Sequence, residues 1–149
     1  MQQTTWTERL WSGIAPIYDA ILEHPFLAGL TGGDLAQDRF AYYIAQDAHY
    51  LRDYARALAV VAAKAPTHED AGMLAQHAAD TVAVELALHA TLLPQLGLSA
   101  AQLEDVEASP ATQAYTSYLL AAAYGGSFAE GLAAVLPCYW IYARVGTEL

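Results

Sequence analysis

Asp47 is flanked at helical spacing by three phenols: Tyr43 stands four residues before it, Tyr50 three after and Tyr54 seven after. Those offsets place all four side chains on one face of a helix. A carboxylate on an apolar face costs several kcal/mol, on the order estimated for buried ions in real proteins, unless it is paired or hydrogen-bonded. Two kinds of partner are open. Tyrosine hydroxyls or the guanidinium of Arg52 or Arg56 can satisfy it inside the fold. Alternatively, the partner is a ligand: a carboxylate accepts two hydrogen bonds from an amino-substituted ring while tyrosines stack on the ring faces.

Cys138 lies in the run LPCYWIY, directly after Pro137 and four residues before Tyr142. Proline removes an amide donor and clashes with the carbonyl of Ala133, which predicts a kink and open space beside the thiol. A thiol there is either a small buried hydrophobe or a nucleophile. His24, His49, His68, His77 and His89 raise the question of a metal, and Glu85 and His89 are four residues apart. Dicarboxylate metal bundles use paired Glu-x-x-His units at a spacing of three, which this sequence lacks, so no metal is expected. Gly29, Gly32 and Gly33 lack the lysine and the strand that a phosphate-binding loop needs.

The elements that must position these residues are helices. Apolar residues recur at helical spacing almost everywhere, and no stretch alternates as a half-buried strand would, so the fold class is all-α. A capping box from Thr5 to Glu8 starts a first helix reaching about Glu23, with Leu10, Ile14, Ile17 and Ile21 on the buried face and Pro16 as a possible bend. His24 and Pro25 end it, and Gly32 and Gly33 signal a turn. Asp34 or Asp38 then caps a long second helix reaching about Lys64, which Pro66 stops. Thr67 caps a third that runs to about Leu93, closed by Pro94 and Gly97. Ser99 with Gln102 boxes a short fourth, Ser109 and Pro110 open a fifth that ends at Gly125 and Gly126, and Ser127 with Glu130 boxes the last. Arg144 and Gly146 are candidate closing signals for that helix, close to the final residue, Leu149.

At 149 residues the length predicts a single domain spanning 1–149, and 56% apolar residues against 15% charged exclude disorder. So large an apolar excess points to self-association. Sixteen acidic against six basic residues give a net charge of −10, which repels phosphate backbones and anionic lipid heads, so neither nucleic acid nor a membrane surface is expected as a partner. The longest charge-free stretch, Ala108 to Ala129, holds too many polar and helix-breaking residues for a bilayer span. One cysteine cannot form an intrachain disulfide, and the N-terminus has no basic start and no apolar core of a secretion signal. A reducing, cytoplasmic setting is the expectation.

Four segments occur together in one order: HPF at His24 to Phe26, FAYYIAQDAHYL from Phe40 to Leu51, SPATQAYTSY from Ser109 to Tyr118 and GSFAEGLAAVLPCYWIY from Gly126 to Tyr142. In these the chain resembles the TenA family, the thiaminase II group of the haem-oxygenase-like helical fold. The resemblance implies hydrolysis of aminopyrimidines related to thiamin, in thiamin salvage, with no cofactor and a small-molecule pyrimidine as substrate. It implies a nucleophilic role for Cys138, a role for Asp47 in holding the amino group and a ring nitrogen, and pocket walls from Tyr50, Tyr115 and Tyr142. It also implies a homotetramer. The alternatives are a non-catalytic aminopyrimidine-binding module and a regulatory protein, and −10 charge with no basic helix argues against direct DNA contact. Members of the family continue through further C-terminal helices that supply a proton-transferring glutamate. The expectation is therefore a C-terminally incomplete domain with poor turnover on its own and with exposed apolar faces on its second, fifth and last helices. Neither Glu130 nor Glu148 lies in a segment matching that glutamate.

Overall fold

The computed structural model describes residues 4–97 and 99–148, with the backbone alone described for His89, Ala100 and Glu104. Seven helices occur among them: α1 (Trp6–Leu22), α2 (Pro25–Gly32), α3 (Gln37–Ala63), α4 (His68–Leu96), α5 (Ala100–Glu104), α6 (Pro110–Gly125) and α7 (Phe128–Glu148). They form two compact units. One holds α1, α2 and the end of α7 from Trp140 onward; the other runs from Gln37 to Tyr139. No helix is long and apolar enough to cross a membrane among the described residues.

In the first unit, the Thr5 side chain accepts from the Glu8 N–H while the Glu8 carboxylate accepts from the Thr5 N–H at 2.7 Å, the reciprocal pair the sequence predicts. The expected apolar face is wrong in part. Leu10 and Ile17 are exposed at 53% and 62%, whereas Tyr18 is buried at 4%. The Trp11 ring lies 4.9 Å from that of Tyr18 and 5.1 Å from that of Trp140, with the Arg144 guanidinium 4.4 Å from it. Large aromatic rings bury more surface than branched aliphatic chains, so the aromatic stripe sets which way α1 faces. The stretch read as a turn contains α2, which begins on Pro25, has His24 Nδ1 accepting from the Phe26 N–H at 3.1 Å, and closes on Gly33 at φ 77°. Only glycine takes that left-handed conformation without penalty.

In the second unit α3 is central. Leu74 and Ala78 of α4 pack on Tyr54, Ala57, Leu58 and Val61, and Leu93 packs on Ile44, Ala45 and Ala48, so α4 returns antiparallel to α3. Its N-cap is Thr67 as expected, but it continues through Pro94 to Leu96 before Gly97 closes it at φ 68°. Proline removes one amide donor, and in this last turn the helix survives that loss.

α6 runs alongside α3 in the same direction and is fastened at both ends. At its start the buried Gln46 amide donates to the Glu107 carbonyl at 3.0 Å and accepts from the Ser109 N–H at 2.8 Å and the Thr112 hydroxyl at 2.9 Å. His49 Nε2 lies 2.6 Å from the Val106 carbonyl oxygen. At its end the Lys64 ammonium donates to the carbonyls of Ala123, Tyr124 and Gly126 at 2.6 to 2.8 Å, meeting carbonyls that the last helical turn leaves without partners. α7 starts at the Ser127 and Glu130 box and packs its first half against α3 so closely that a Cβ on Gly131 would meet Val61 Cγ2 at 2.8 Å. The helix passes through Gly146 to Glu148 instead of closing there. Leu149 lies outside the described residues.

Candidate active site

Fixing α6 at both ends sets Tyr115 beside Tyr50. The two rings stack at 5.3 Å and 16°, and on its other side Tyr50 stacks with Tyr54 at 5.4 Å and 24°. Tyr43 does not join this stack; it faces Phe40 at 6.4 Å in the cluster around Leu93 and Leu103. Cys138, half-buried on α7, packs against the same core as Tyr50 and lies within hydrogen-bonding reach of the Tyr50 and Tyr54 hydroxyls. Tyr54 also donates to the Val135 carbonyl at 3.0 Å, tying the stretch before Pro137 to α3.

Burial, and then the neighbouring cysteine, push the Tyr50 and Tyr54 phenols far above their usual range, so both stay neutral and keep their protons to donate. Burial likewise raises the Cys138 thiol. The two tyrosine hydroxyls act against that rise, and the charge of Asp47 adds to it. The arrangement can therefore stabilise a thiolate once formed, but it does not hold the thiol ionised at rest.

Arg56 pairs with Asp53 at 2.7 Å, and among the described residues no hydrogen-bond donor meets the Asp47 carboxylate. Burial first, and then the charge of Glu85 on α4, raise Asp47 to about 6. This half-buried carboxylate, with no donor among the described residues, lies beside three stacked phenols and a thiol, and its two oxygens are available to accept.

Asp47, Tyr50, Tyr115 and Cys138 thus come together within the second unit. Tyr142 belongs to the first unit and is exposed at 56%. Glu85, His77 and Tyr139 also join the cluster, His77 Nδ1 lying 2.9 Å from the Tyr139 hydroxyl. The spacing of Glu85 suggests only a pairing with His89, whose side chain lies outside the described residues. Tyr139 adjoins Cys138 in sequence, and that adjacency is the one signal that pointed to it. Among the described residues no three histidine, cysteine or acidic side chains gather to hold a metal ion.

The model of the TENA/THI-4/PQQC family matches residues 11–149. The chain belongs to this family. An aminopyrimidine aminohydrolase of Bacillus subtilis is 38% identical to it over 144 residues, covering 97% of this chain and 61% of that protein. A thiamine biosynthesis multifunctional protein of Corynebacterium efficiens is 41% identical over 148 residues, covering 97% of this chain and 19% of its own length. The solved structure of a TenA homologue from P. horikoshii superimposes with a TM-score of 0.88 at 37% identity, covering 95% of this chain and 66% of that one. The chain spans less than two thirds of the length of each of these relatives. A likeness this close assigns the helices of this TenA-family chain to the haem-oxygenase-like fold.

Proposed function

We propose that the chain binds an aminopyrimidine related to thiamin and contributes the nucleophile and the pyrimidine clamp for its hydrolysis, in thiamin salvage. The observation that carries this reading is the partnerless Asp47 carboxylate beside the Tyr50, Tyr54 and Tyr115 stack and the Cys138 thiol. The names of the relatives, an aminopyrimidine aminohydrolase and a thiamine biosynthesis protein, support the choice of substrate.

In this proposal Asp47 accepts two hydrogen bonds from the amino group and the adjacent protonated ring nitrogen, and the negative charge of Glu85 favours that cationic ring further. Tyr115 and Tyr50 supply the wall against which the ring packs. Protonation of the amidine edge makes the ring electron-poor. The Cys138 thiolate adds to a ring carbon, the displaced electron pair expels a side-chain ammonium as the neutral amine, or a thiazolium as the neutral thiazole, and water adds at the side-chain carbon, releasing one proton to solvent, as the thiolate leaves. The Tyr50 and Tyr54 hydroxyls stabilise the thiolate once it forms. A homotetrameric assembly in the cytoplasm belongs to the same proposal.

Protection of the thiol tests it. Because Cys138 is the single cysteine, alkylation by iodoacetamide reports on that residue alone. A 4-aminopyrimidine carrying a 5-aminomethyl group should slow the alkylation in proportion to its occupancy, and Asp47→Asn should remove the protection. Alkylation at an unchanged rate under saturating pyrimidine would overturn the reading.

A further inference from the structure

Tyr54 and Tyr139 connect the Cys138 thiol to a side chain on a different helix. The Tyr54 hydroxyl interacts with both Cys138 and the Tyr139 hydroxyl, their rings lying 6.1 Å apart, and the Tyr139 hydroxyl lies 2.9 Å from Nδ1 of His77. The His77 and Tyr139 rings are 5.4 Å apart. Tyr139 is exposed and His77 half-buried, so the far end of this series can exchange protons with water, whereas Cys138 and Tyr54 at the near end cannot do so as readily.

We propose that His77, acting through Tyr139 and Tyr54, accepts the proton of Cys138 and so generates its thiolate. This rests on the nucleophilic role proposed for Cys138. The transfer balances without any other reactant. The thiol proton passes to the Tyr54 oxygen as the Tyr54 proton passes to Tyr139 and the Tyr139 proton to His77 Nδ1. The result is a thiolate, two unchanged phenols and an imidazolium. A phenol both donates and accepts and its hydrogen rotates about the C–O bond, so Tyr54 can leave the Val135 carbonyl for Tyr139 without moving its ring.

The need for such a route follows from the surroundings of the thiol. Asp47, Tyr50 and Tyr54 face it from α3, Tyr115 from α6 and Tyr139 from α7, with Glu85 behind Asp47. Every one of these is neutral or negative, and none is a base of suitable strength except Asp47, which the pyrimidine occupies. A histidine is the side chain best suited to take a proton near neutral pH, and His77 is the one joined to this cluster. His77 touches no substrate; it sets the charge state of the group that does.

The test is the pH profile of Cys138 alkylation by iodoacetamide in the full chain. His77→Gln keeps an amide able to hydrogen-bond to Tyr139 but unable to take up the proton, and Tyr139→Phe removes only the hydroxyl. Measured in an Asp47→Asn background, so that the neighbouring carboxylate does not titrate in the window, the parent profile should show an inflection below the ordinary thiol range, belonging to the cysteine and histidine as a pair. Both variants should lose it, react at least about tenfold more slowly at pH 7 and keep only an inflection at or above the ordinary thiol range. His68→Gln, at the exposed start of α4, should match the parent. Melting followed by circular dichroism checks that each variant is folded, and if one fails to fold the other carries the test. Profiles of both variants that superimpose on the parent overturn the relay. Should saturating aminopyrimidine leave the alkylation of Cys138 in the wild type unchanged, the nucleophilic reading itself falls and the relay with it.

Discussion

Replacing Asp47 with asparagine should make the protein more stable at alkaline pH while it loses its ligand. Asn has nearly the same shape, and the carboxylate it replaces has no hydrogen-bond donor to lose among the described residues. Burial and the charge of Glu85 hold Asp47 at about 6, above the carboxylate range of an unfolded chain. A carboxyl raised in this way contributes its full share of stability below the unfolded value, near pH 4. It loses that share as pH climbs through about 6. Above pH 7 the folded state carries a charge it disfavours by about 3 kcal/mol, from about 1.4 kcal/mol for each pH unit of displacement. Asp47→Asn removes that cost. At roughly 2 to 4 °C per kcal/mol for a chain of this size, Tm should rise by about 6 to 12 °C at pH 8 and hardly change at pH 4. Titration with an aminopyrimidine at pH 8 should show the opposite, a loss of at least about tenfold in affinity from two charge-assisted bonds. Thermal melts at pH 4, 6 and 8 with calorimetric titration read both quantities. A variant that melts at or below the wild type at pH 8 would refute the reasoning, since it would mean that Asp47 is paired inside the fold.

Three further substitutions test the scaffold around the site. Gln46→Leu leaves the Ser109 N–H and the Glu107 carbonyl without their partner and should cost about 2 to 4 kcal/mol in urea unfolding. Its protection of Cys138 by pyrimidine should weaken too, because the start of α6 is no longer held to α3. Gly131→Ala drives a methyl into Val61, a fully buried and stiff neighbour, and should cost about 1 to 3 kcal/mol; a neutral effect would show that α7 can slide away from α3. Tyr115→Leu should lower pyrimidine affinity by about fivefold to tenfold through the lost ring contact, with a Tm change of only a few degrees because Tyr115 is 40% exposed.

Helix starts were legible in the sequence because capping is chemistry between residues three apart. Thr5, Thr67, Ser99, Ser109 and Ser127 each cap where their spacing to Glu8, Asp70, Gln102, Thr112 and Glu130 predicts. The short α2 escaped because its cap is a histidine ring nitrogen, which capping rules do not include. The face of α1 escaped because periodicity counts leucine and isoleucine equally with tryptophan and tyrosine. Asp47 and Tyr50 were legible as neighbours on one helix and Cys138 as a candidate thiol beside Pro137, whereas Tyr115 was legible only through family resemblance. The partnership of His77 with Tyr139 depends on how α4 and α7 lie across α3, which no spacing along one helix encodes.

Lys64 is the only lysine in the sequence, and its ammonium is taken up by three carbonyls at the end of α6. A reagent that seeks primary amines therefore reaches this one lysine side chain only when those three bonds let go. Slow coupling of Lys64 would then act as a clock for the loosening of α6 from α3, timing how often the wall that carries Tyr115 comes free.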